Sequence, residues 1–600
     1  MSPFDWLDSR IGYRRLIHSA LYEHVPGGAR WRYVWGSTLT FAISVQFITG
    51  AILWMAYSPS AQTAWESVHY INDVMPGGWW LRGIHHFTAQ LMVPLLVLHF
   101  MQVIIDGAYK APREFNYWFG LGLLVLTLAL SLTGYLLPWD QKGYWASKVA
   151  TNLAGGTPII GGALQRIIVG DAEYGHHTLT RFFALHAGIL PGALVGLIVA
   201  HIALFRKHGI TPAEPRRKPD VMFWPDQVLK DAIACIAVMG AVLGLLWWFK
   251  GADLGAPANP AEAYGAARPD WYFMALFQFL KLKIFLPDGL FGSYGLLVAS
   301  QIAPGLAFGL LMLMPFIGQW KVGHRFNLFV LAAGMAGFAW LTYAAFSHDA
   351  HDPHYKVAVE QSHKDAARAK ELAKERKGIP AEGALALLRN DPLTQGPRIF
   401  ADKCASCHAY AGHNGLGVPL KDRQTASDLA GFGSRDWLTG FLDPKQIETP
   451  KYWGGTKFVN PPAGEQKSKM VRQILDDVAK FTAGEKEHLT KVIVALSAEA
   501  KLPAQREADL RDSRMIEEGR KLLADVTLDC SDCHAWRENK GGTAPAFEGY
   551  ASVEWLREFI KNPAHPKFYG KRNDRMPAFG EPGRLSDHDI EMLIDWMRGE

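Results

Sequence analysis

Seven apolar runs alternate with short polar segments through the first 346 residues, at about 37–57, 81–106, 117–137, 183–205, 229–249, 294–316 and 327–346. A helix rising about 1.5 Å per residue needs about 20 residues to cross the hydrocarbon of a bilayer. Each run therefore predicts a transmembrane helix. The basic residues fall in alternate loops: Arg10, Arg14, Arg15, Arg30 and Arg32 before the first run, then Lys110 and Arg113, then Arg206-Lys207 with Arg216-Arg217-Lys218, then Lys321 and Arg325. The positive-inside bias makes that side cytoplasmic, and seven crossings put everything after residue 347 on the other face. Pro94 and Pro191 lie inside two runs and predict local kinks. Met1 to Arg32 is polar and aromatic, unlike the apolar core of a cleavable leader.

After Ser347 the pattern turns polar. Residues 347–392 are charged, with Lys364–Lys377 rich in Ala, Glu, Lys and Arg, and read as a solvated helix and tether. The last 200 residues repeat one unit. Gly396-Pro-Arg-Ile-Phe…Cys404 matches Gly519-Arg-Lys-Leu-Leu…Cys530, and Ser434-Arg-Asp-Trp437-Leu matches Ser552-Val-Glu-Trp555-Leu. A closing helical pattern follows each, over 485–497 and 587–598.

Six hundred residues exceed one domain, and the mean hydropathy of zero averages two unlike halves. A net charge of +5 is small for this length and argues against a nucleic-acid surface. The expected fold is all-α: a seven-helix membrane bundle followed by two small helical domains.

Four histidines sit in the apolar part. His85 and His99 are 14 residues apart, and His186 and His201 are 15 apart. At about 100° per residue these gaps leave the members of each pair about 40° and 60° apart around the helix, and about 21 Å apart along it. Pairing His86 with His99 instead would leave them about 140° apart, on nearly opposite sides. Two such helices side by side present two imidazole pairs at two depths. A low-spin heme iron takes two trans imidazoles of this kind, so the spacing points to two non-covalent, bis-histidine b-type hemes. Ionisable groups at that depth are otherwise costly.

Four of the five cysteines form Cys404-Ala-Ser-Cys407-His408 and Cys530-Ser-Asp-Cys533-His534. Cys-x-x-Cys-His attaches a c-type heme through two thioethers, with the histidine as one axial ligand. Two copies on the outer face predict two covalent c-type hemes there. Cys235, in the fifth apolar run, reads as a packing residue.

Each repeat looks like a small class-I cytochrome c. Arg575-Met576-Pro577 resembles the element that supplies the axial thioether in that family, which makes Met576 the expected sixth ligand in the second copy. In the first copy only Met470 lies in the corresponding region, after an insertion of about ten residues. A histidine, a lysine or an open position stays an alternative there.

The membrane part resembles the cytochrome b of quinol:cytochrome c and quinol:plastocyanin oxidoreductases over about residues 20–346. The carrying motifs are Gly134-Tyr-Leu-Leu-Pro138-Trp-Asp-Gln-Lys-Gly143-Tyr-Trp-Ala, Leu179-Thr-Arg181-Phe-Phe-Ala-Leu-His186 and Pro269-Asp270-Trp271-Tyr272. The 14 residues between His186 and His201 match the bf branch, whose smaller subunit the last three spans resemble, here fused. Where that branch attaches an extra heme through a cysteine, this chain has Tyr33-Val34-Trp35-Gly36, so that heme is expected to be absent.

The resemblance implies a division into an N-terminal segment (1–36), a four-helix diheme module (37–215), a three-helix quinol-site module (216–346), a linker (347–392) and two cytochrome c domains (393–500 and 501–600). It implies His85 and His186 for the outer heme and His99 and His201 for the inner one. Gly36/Gly50 and Gly120/Gly134, each repeating at 14 residues, would let a porphyrin edge approach the backbone. Arg82, one turn before His85, would pair with a heme propionate or anchor the interface. At the outer quinol site Asp270 stands where the family usually has glutamate and would accept a proton, Tyr272 would bond the substrate, and Pro269 and Trp271 would line it. Phe223-Trp-Pro225…Lys230-Asp231 resembles the inner quinone segment, with Lys230, Asp231 and His208 as candidate proton carriers.

The implied enzyme is a quinol:cytochrome c oxidoreductase subunit in a bacterial cytoplasmic membrane, working by electron bifurcation. Its implied partners are a separate Rieske iron–sulfur protein, membrane quinol and quinone, and a cytochrome c or terminal-oxidase acceptor, with a second copy in a homodimer. The competing reading is a passive electron conduit anchoring another oxidoreductase, which would need no outer quinol pocket.

Overall fold

The computed structural model describes all residues except 1, 172, 213–218, 376–377, 421, 423, 525–527, 529, 538–541, 574 and 600. The chain divides into two compact units, Met1–Leu387 and Leu388–Glu600. Among its described residues the first carries seven helices long and apolar enough to cross a membrane: α1 (Trp35–Trp54), α2 (Gly78–Ile105), α3 (Glu114–Leu136), α4 (His176–His208), α5 (Phe223–Phe249), α6 (Gly292–Ile317) and α7 (Gly323–His351). Their outward faces stay apolar and exposed, as at Val199, Ile236 and Phe329, the pattern of a surface meant for lipid.

α1 packs on α2 and α3 on α4, while α5 lies against α1 and α2. α2 runs through Pro94 without a break. Immediately before Pro191, α4 widens into a π-turn over Leu185–Ile189, and His186 sits on it. Such turns gather at functional sites because they re-aim a side chain within a helix.

The basic loops meet at one end of the bundle. Arg32 pairs with the nearly buried Asp106 at 2.6 Å, Arg206 with Glu23 at 2.6 Å, and Arg113 donates to the carbonyl of His208 at 2.8 Å. Tyr109, from the loop after α2, bonds His324 at the start of α7 at 2.8 Å. A two-residue strand pair, β1 (His24–Val25) with β2 (Val221–Met222), closes this end. Arg216, Arg217 and Lys218 lie outside the described residues.

At the other end the long loops lock together. Asp140 caps the helix after α3 through the amide of Gly143 and also accepts from the amide of Gly255. Trp65 donates to the carbonyl of Gly255 at 2.8 Å. Helix α8 (Pro353–Glu375) belongs to this unit too, and it is more than the free tether its charge predicts. Ala369, Leu372 and Ala373 form a buried stripe at helical spacing, and Ser362 bonds Tyr264 at 2.8 Å.

The second unit contains α9 (Pro392–Ile399), α10 (Arg435–Phe441), α11 (Ala483–Glu499), α12 (Ser513–Leu522), α13 (Val553–Lys561) and α14 (Asp587–Arg598). Ser434 and Ser552 cap α10 and α13 at equivalent places in the two repeats. Two closed lobes, 393–500 and 501–600, are what the repeat predicts. The packing is crossed instead: α9 lies on α14, and α11 lies on α12. The connection between α11 and α12 accounts for this. Arg435 holds it through Asp509 and Asp512, at 2.6 and 2.5 Å, and Gln505 bonds both Ser497 and the amide of Arg435. Helices joined by so short a pinned segment become neighbours.

Candidate functional site

The four histidines meet in two layers. The rings of His85 and His186 stand 6.4 Å apart between centres at 72°, and those of His99 and His201 stand 6.4 Å apart at 84°. An iron ligated by imidazole at about 2 Å on each side holds ring centres roughly 6 Å apart. His186 Nδ1 lies 3.0 Å from the carbonyl of Leu130, and His201 Nδ1 lies 3.0 Å from that of Asn116. Donating there puts the proton on Nδ1 and leaves Nε2 as the ligating nitrogen. His85 Nδ1 is paired with Thr49 Oγ1 at 2.9 Å, itself bonded to the carbonyl of Val45.

Each ring faces one of the four spaced glycines. A β-carbon at Gly134 would fall 2.6 Å from His186 Cε1, and one at Gly50 would fall 3.3 Å from His85 Cε1. At Gly120 the distance to His201 Cε1 is 3.5 Å, and at Gly36 the distance to His99 Cε1 is 3.8 Å. The glycines thus clear room for the imidazoles themselves. The residues present fit a bis-histidine heme in each layer.

Arg82 donates to the carbonyls of Ala252 at 2.9 Å and Asp253 at 2.8 Å, and so ties the loop after α5 to the start of α2.

Asp270 and Trp271 both bond one residue of α2 that the sequence pattern leaves unmarked, Gln90, and Tyr272 joins them through Asp270. The Gln90 amide donates to Asp270 Oδ2 at 3.2 Å, its carbonyl accepts from Trp271 Nε1 at 2.8 Å, and the Tyr272 hydroxyl donates to Asp270 Oδ2 at 3.1 Å. Lys142, inside the Trp139–Trp145 segment, lies 3.5 Å from Asp270 Oδ1 and over the ring of Tyr135. Burial, and then the Asp270 charge, push the Tyr272 phenol above its ordinary value, so it stays a donor at neutral pH. Gln90 stands five residues beyond His85, about 7.5 Å along α2. This is a carboxylate held in a half-buried polar cluster beside one histidine layer, the arrangement a proton-accepting site needs. Just before it, Arg268 makes a bidentate pair with Asp349 of α7, between 2.8 and 3.0 Å.

At the opposite end Asp231 is buried and bonded to Ser37 at 2.7 Å and Gln227 at 2.8 Å. Lys230 lies over the ring of Trp31 at 5.7 Å. His208 ends α4, its carbonyl held by Arg113. Asp231 therefore ties α5 to α1, and these contacts do not join His208 to it.

In the second unit His408 Nδ1 lies 2.8 Å from the carbonyl of Ser427, and His534 Nδ1 lies 2.7 Å from that of Pro545. Both leave Nε2 for a metal. Phe547 stacks on His534 at 4.0 Å. Trp536 Nε1 is buried with no hydrogen-bond partner among the described residues, a donor left for a group such as a propionate. The residues fit two c-type hemes. The methionines do not fall where repeat order puts them. Met470 packs in the core that holds Cys530, and Met576 in the core that holds Cys404.

The family model described as cytochrome b (N-terminal)/b6/petB matches residues 90–266, and that for subunit III of cbb3-type cytochrome c oxidase matches residues 514–597. The chain is 38% identical over 216 residues to the menaquinol:cytochrome c reductase cytochrome b subunit of Geobacillus thermodenitrificans, covering 35% of this chain and 96% of that one. It is 30% identical over 367 residues to the cytochrome b of Cereibacter sphaeroides, covering 56% and 82%. It is 36% identical over 208 residues to the cytochrome b6 of Synechococcus sp. (strain JA-3-3Ab), covering 35% and 97%. A chain of a hyperthermophilic respiratory Complex III aligns with a TM-score of 0.46 at 23% identity, over 57% of this chain and 98% of that one. The paired histidine layers, the two family models and the cytochrome b and b6 sequences agree: the chain is an integral membrane protein of the cytochrome b/b6 family, with a C-terminal cytochrome c region.

Proposed function

We propose that this chain is the membrane subunit of a quinol:cytochrome c oxidoreductase, or of one serving another periplasmic acceptor, and that it oxidises quinol at the Asp270 cluster. The observation that carries the reading is the Asp270 carboxylate bonded by both Gln90 and Tyr272, with Trp271 donating to the same Gln90, beside the His85–His186 layer. A conduit has no use for a carboxylate held there by three polar neighbours. Quinol oxidation releases two protons, and Asp270 takes one at its carboxylate. Tyr272 and Gln90 hold that carboxylate in place, Lys142 supplies its counter-charge, and Trp271 walls the cluster. When bound, the two b hemes supply a one-electron path between the faces, and the two c hemes supply one from a separate Rieske protein to the acceptor.

His85 with His186 and His99 with His201 hold the b hemes. Cys404, Cys407 and His408, and Cys530, Cys533 and His534, hold the c hemes. Arg82 holds the outer loop over the first pair. Lys230, Asp231 and His208 serve the quinone on the cytoplasmic side, where the basic loops gather, and the c-type region is periplasmic. The subunit works as a homodimer in a bacterial inner membrane.

The test is Asp270→Asn in the purified complex. Quinol oxidation should fall about 10²-fold or more, the scale of a lost general base, with the b-heme spectrum unchanged. Full activity with intact hemes would favour the conduit.

A further inference from the structure

The two most extensive helix packings in the second unit, α9 on α14 and α11 on α12, both join unlike repeats. Gly396 of α9 meets α14 so closely that a β-carbon there would fall 2.2 Å from Trp596 Cβ. Gly519 of α12 meets α11 in the same way, its β-carbon falling 2.0 Å from the carbonyl of Lys491 and 2.7 Å from Ala495 Cβ. Gly396 and Gly519 are equivalent positions of the repeat. Each abuts the closing helix of the other copy. Polar contacts follow the same crossing: Lys491 pairs with Glu518 at 3.2 Å, Arg520 with Glu499 at 2.9 Å, and Tyr410 stacks on Trp596 at 4.2 Å.

The cores divide accordingly. One gathers Phe400, Ala405 and Cys404 from the first repeat with Trp555, Ile590, Ile594 and Met576 from the second. The other gathers Trp437, Val471, Leu496 and Met470 from the first repeat with Leu528, Cys530, Trp536 and Phe547 from the second. Asn573 donates to the carbonyl of Met576 at 2.9 Å, fixing its strand of loop within the first of these cores.

We propose that the two hemes exchange their sixth ligands: Met576 serves the heme attached at Cys404, Cys407 and His408, and Met470 serves the heme attached at Cys530, Cys533 and His534. One lobe is then 388–430 joined to 551–600, and the other is the continuous segment 431–550. An axial thioether raises the potential of the iron it binds, so each methionine sets the potential of the heme carried by the other repeat. This rests on the two Cys-x-x-Cys-His segments carrying heme, as proposed above.

The experiment uses the full-length membrane protein. A pyridine hemochrome assay first counts covalent heme. If the wild type carries none, the heme reading itself fails, independently of the crossing. The Cys530→Ala/Cys533→Ala variant then leaves one covalent heme, at Cys404 and Cys407. In that background Met576→Ala should abolish the thioether-to-ferric-iron charge-transfer band and lower the midpoint potential, while Met470→Ala leaves both unchanged. Loss of the band with Met470→Ala, or with neither, overturns the assignment. Where the cysteine variant does not accumulate, zero-length carbodiimide coupling of the wild type decides. Peptide mass spectrometry should find Lys491 joined to Glu518. Links joining 392–404 to 483–499 in their place overturn the crossing.

Discussion

Alanine at Gly134 adds one methyl group where 2.6 Å separates the new carbon from His186 Cε1, with His186 Nδ1 at 3.1 Å and Nε2 at 3.2 Å. Carbon atoms in contact prefer about 3.5–4.0 Å, so the ring must retreat by roughly 1 Å. It is not free to do so. Its Nδ1 is bonded to the carbonyl of Leu130, and Thr133 Oγ1 lies 3.3 Å from the same atom. Overpacking of this kind costs about 1–3 kcal/mol, and loss of the bond that orients a ligating histidine lowers metal affinity about 10–100-fold. Gly36→Ala is the internal control, since its carbon reaches only ordinary contact at 3.8 Å from His99 Cε1. Gly134→Ala should lose non-covalent heme from the His85–His186 layer, with covalent heme as the internal standard, and a potentiometric titration should show one b component weakened. Gly50→Ala, at 3.3 Å, should fall between, and Gly120→Ala, at 3.5 Å, should be nearly silent. Full heme and unshifted potentials in Gly134→Ala, or equal damage in Gly36→Ala, would refute the claim that these glycines make room for the rings.

Three further outcomes are expected. Gln90→Leu removes a hydrogen bond to a carboxylate, worth about 1.5–3 kcal/mol; quinol oxidation should drop at least tenfold with heme content intact, and combining it with Asp270→Asn should add little. Arg268→Ala strands the nearly buried Asp349, whose side chain is 9% exposed, at a cost of about 3–5 kcal/mol; the melting temperature and quinol oxidation should fall together while both b hemes remain, and an unchanged melting curve would count against the pair. Gly396→Val drives a branched side chain into Trp596; near-ultraviolet circular dichroism should show that core melting earlier, while Gly519→Val should damage the core that contains Cys530.

Hydropathy finds each span to within a few residues at most ends because the lipid boundary is a compositional boundary. It errs where a helix outlasts the hydrocarbon: α4 begins at His176, seven residues before the apolar run, and α5 at Phe223, six before. The histidine registers follow from helix geometry alone, and the glycine spacing hints at close approach without naming what approaches. Gln90 escapes notice because one amide in an apolar run carries no period, and Lys142 because its partner is 128 positions away. The crossing is invisible for a different reason. Two copies of one pattern offer each first helix two acceptable closing helices, and periodicity states what kind of surface packs without stating which copy supplies it. The choice rests on Arg435 and Gln505 pinning a short connection.

Ribosomes release the N-terminal end of a chain first, and domains generally fold in that order. Here the order is reversed. The segment 431–550 is contiguous and has every part of its core once residue 550 has emerged, whereas 388–430 waits for 551–600. At about 10 residues per second the Cys404/Cys407 pair stands on an unfinished half-domain for roughly 19 s before the final helix, Asp587–Arg598, arrives to shut it. A stop codon shortly after residue 550 would thus spare the core that contains Cys530 and forfeit the one that contains Cys404.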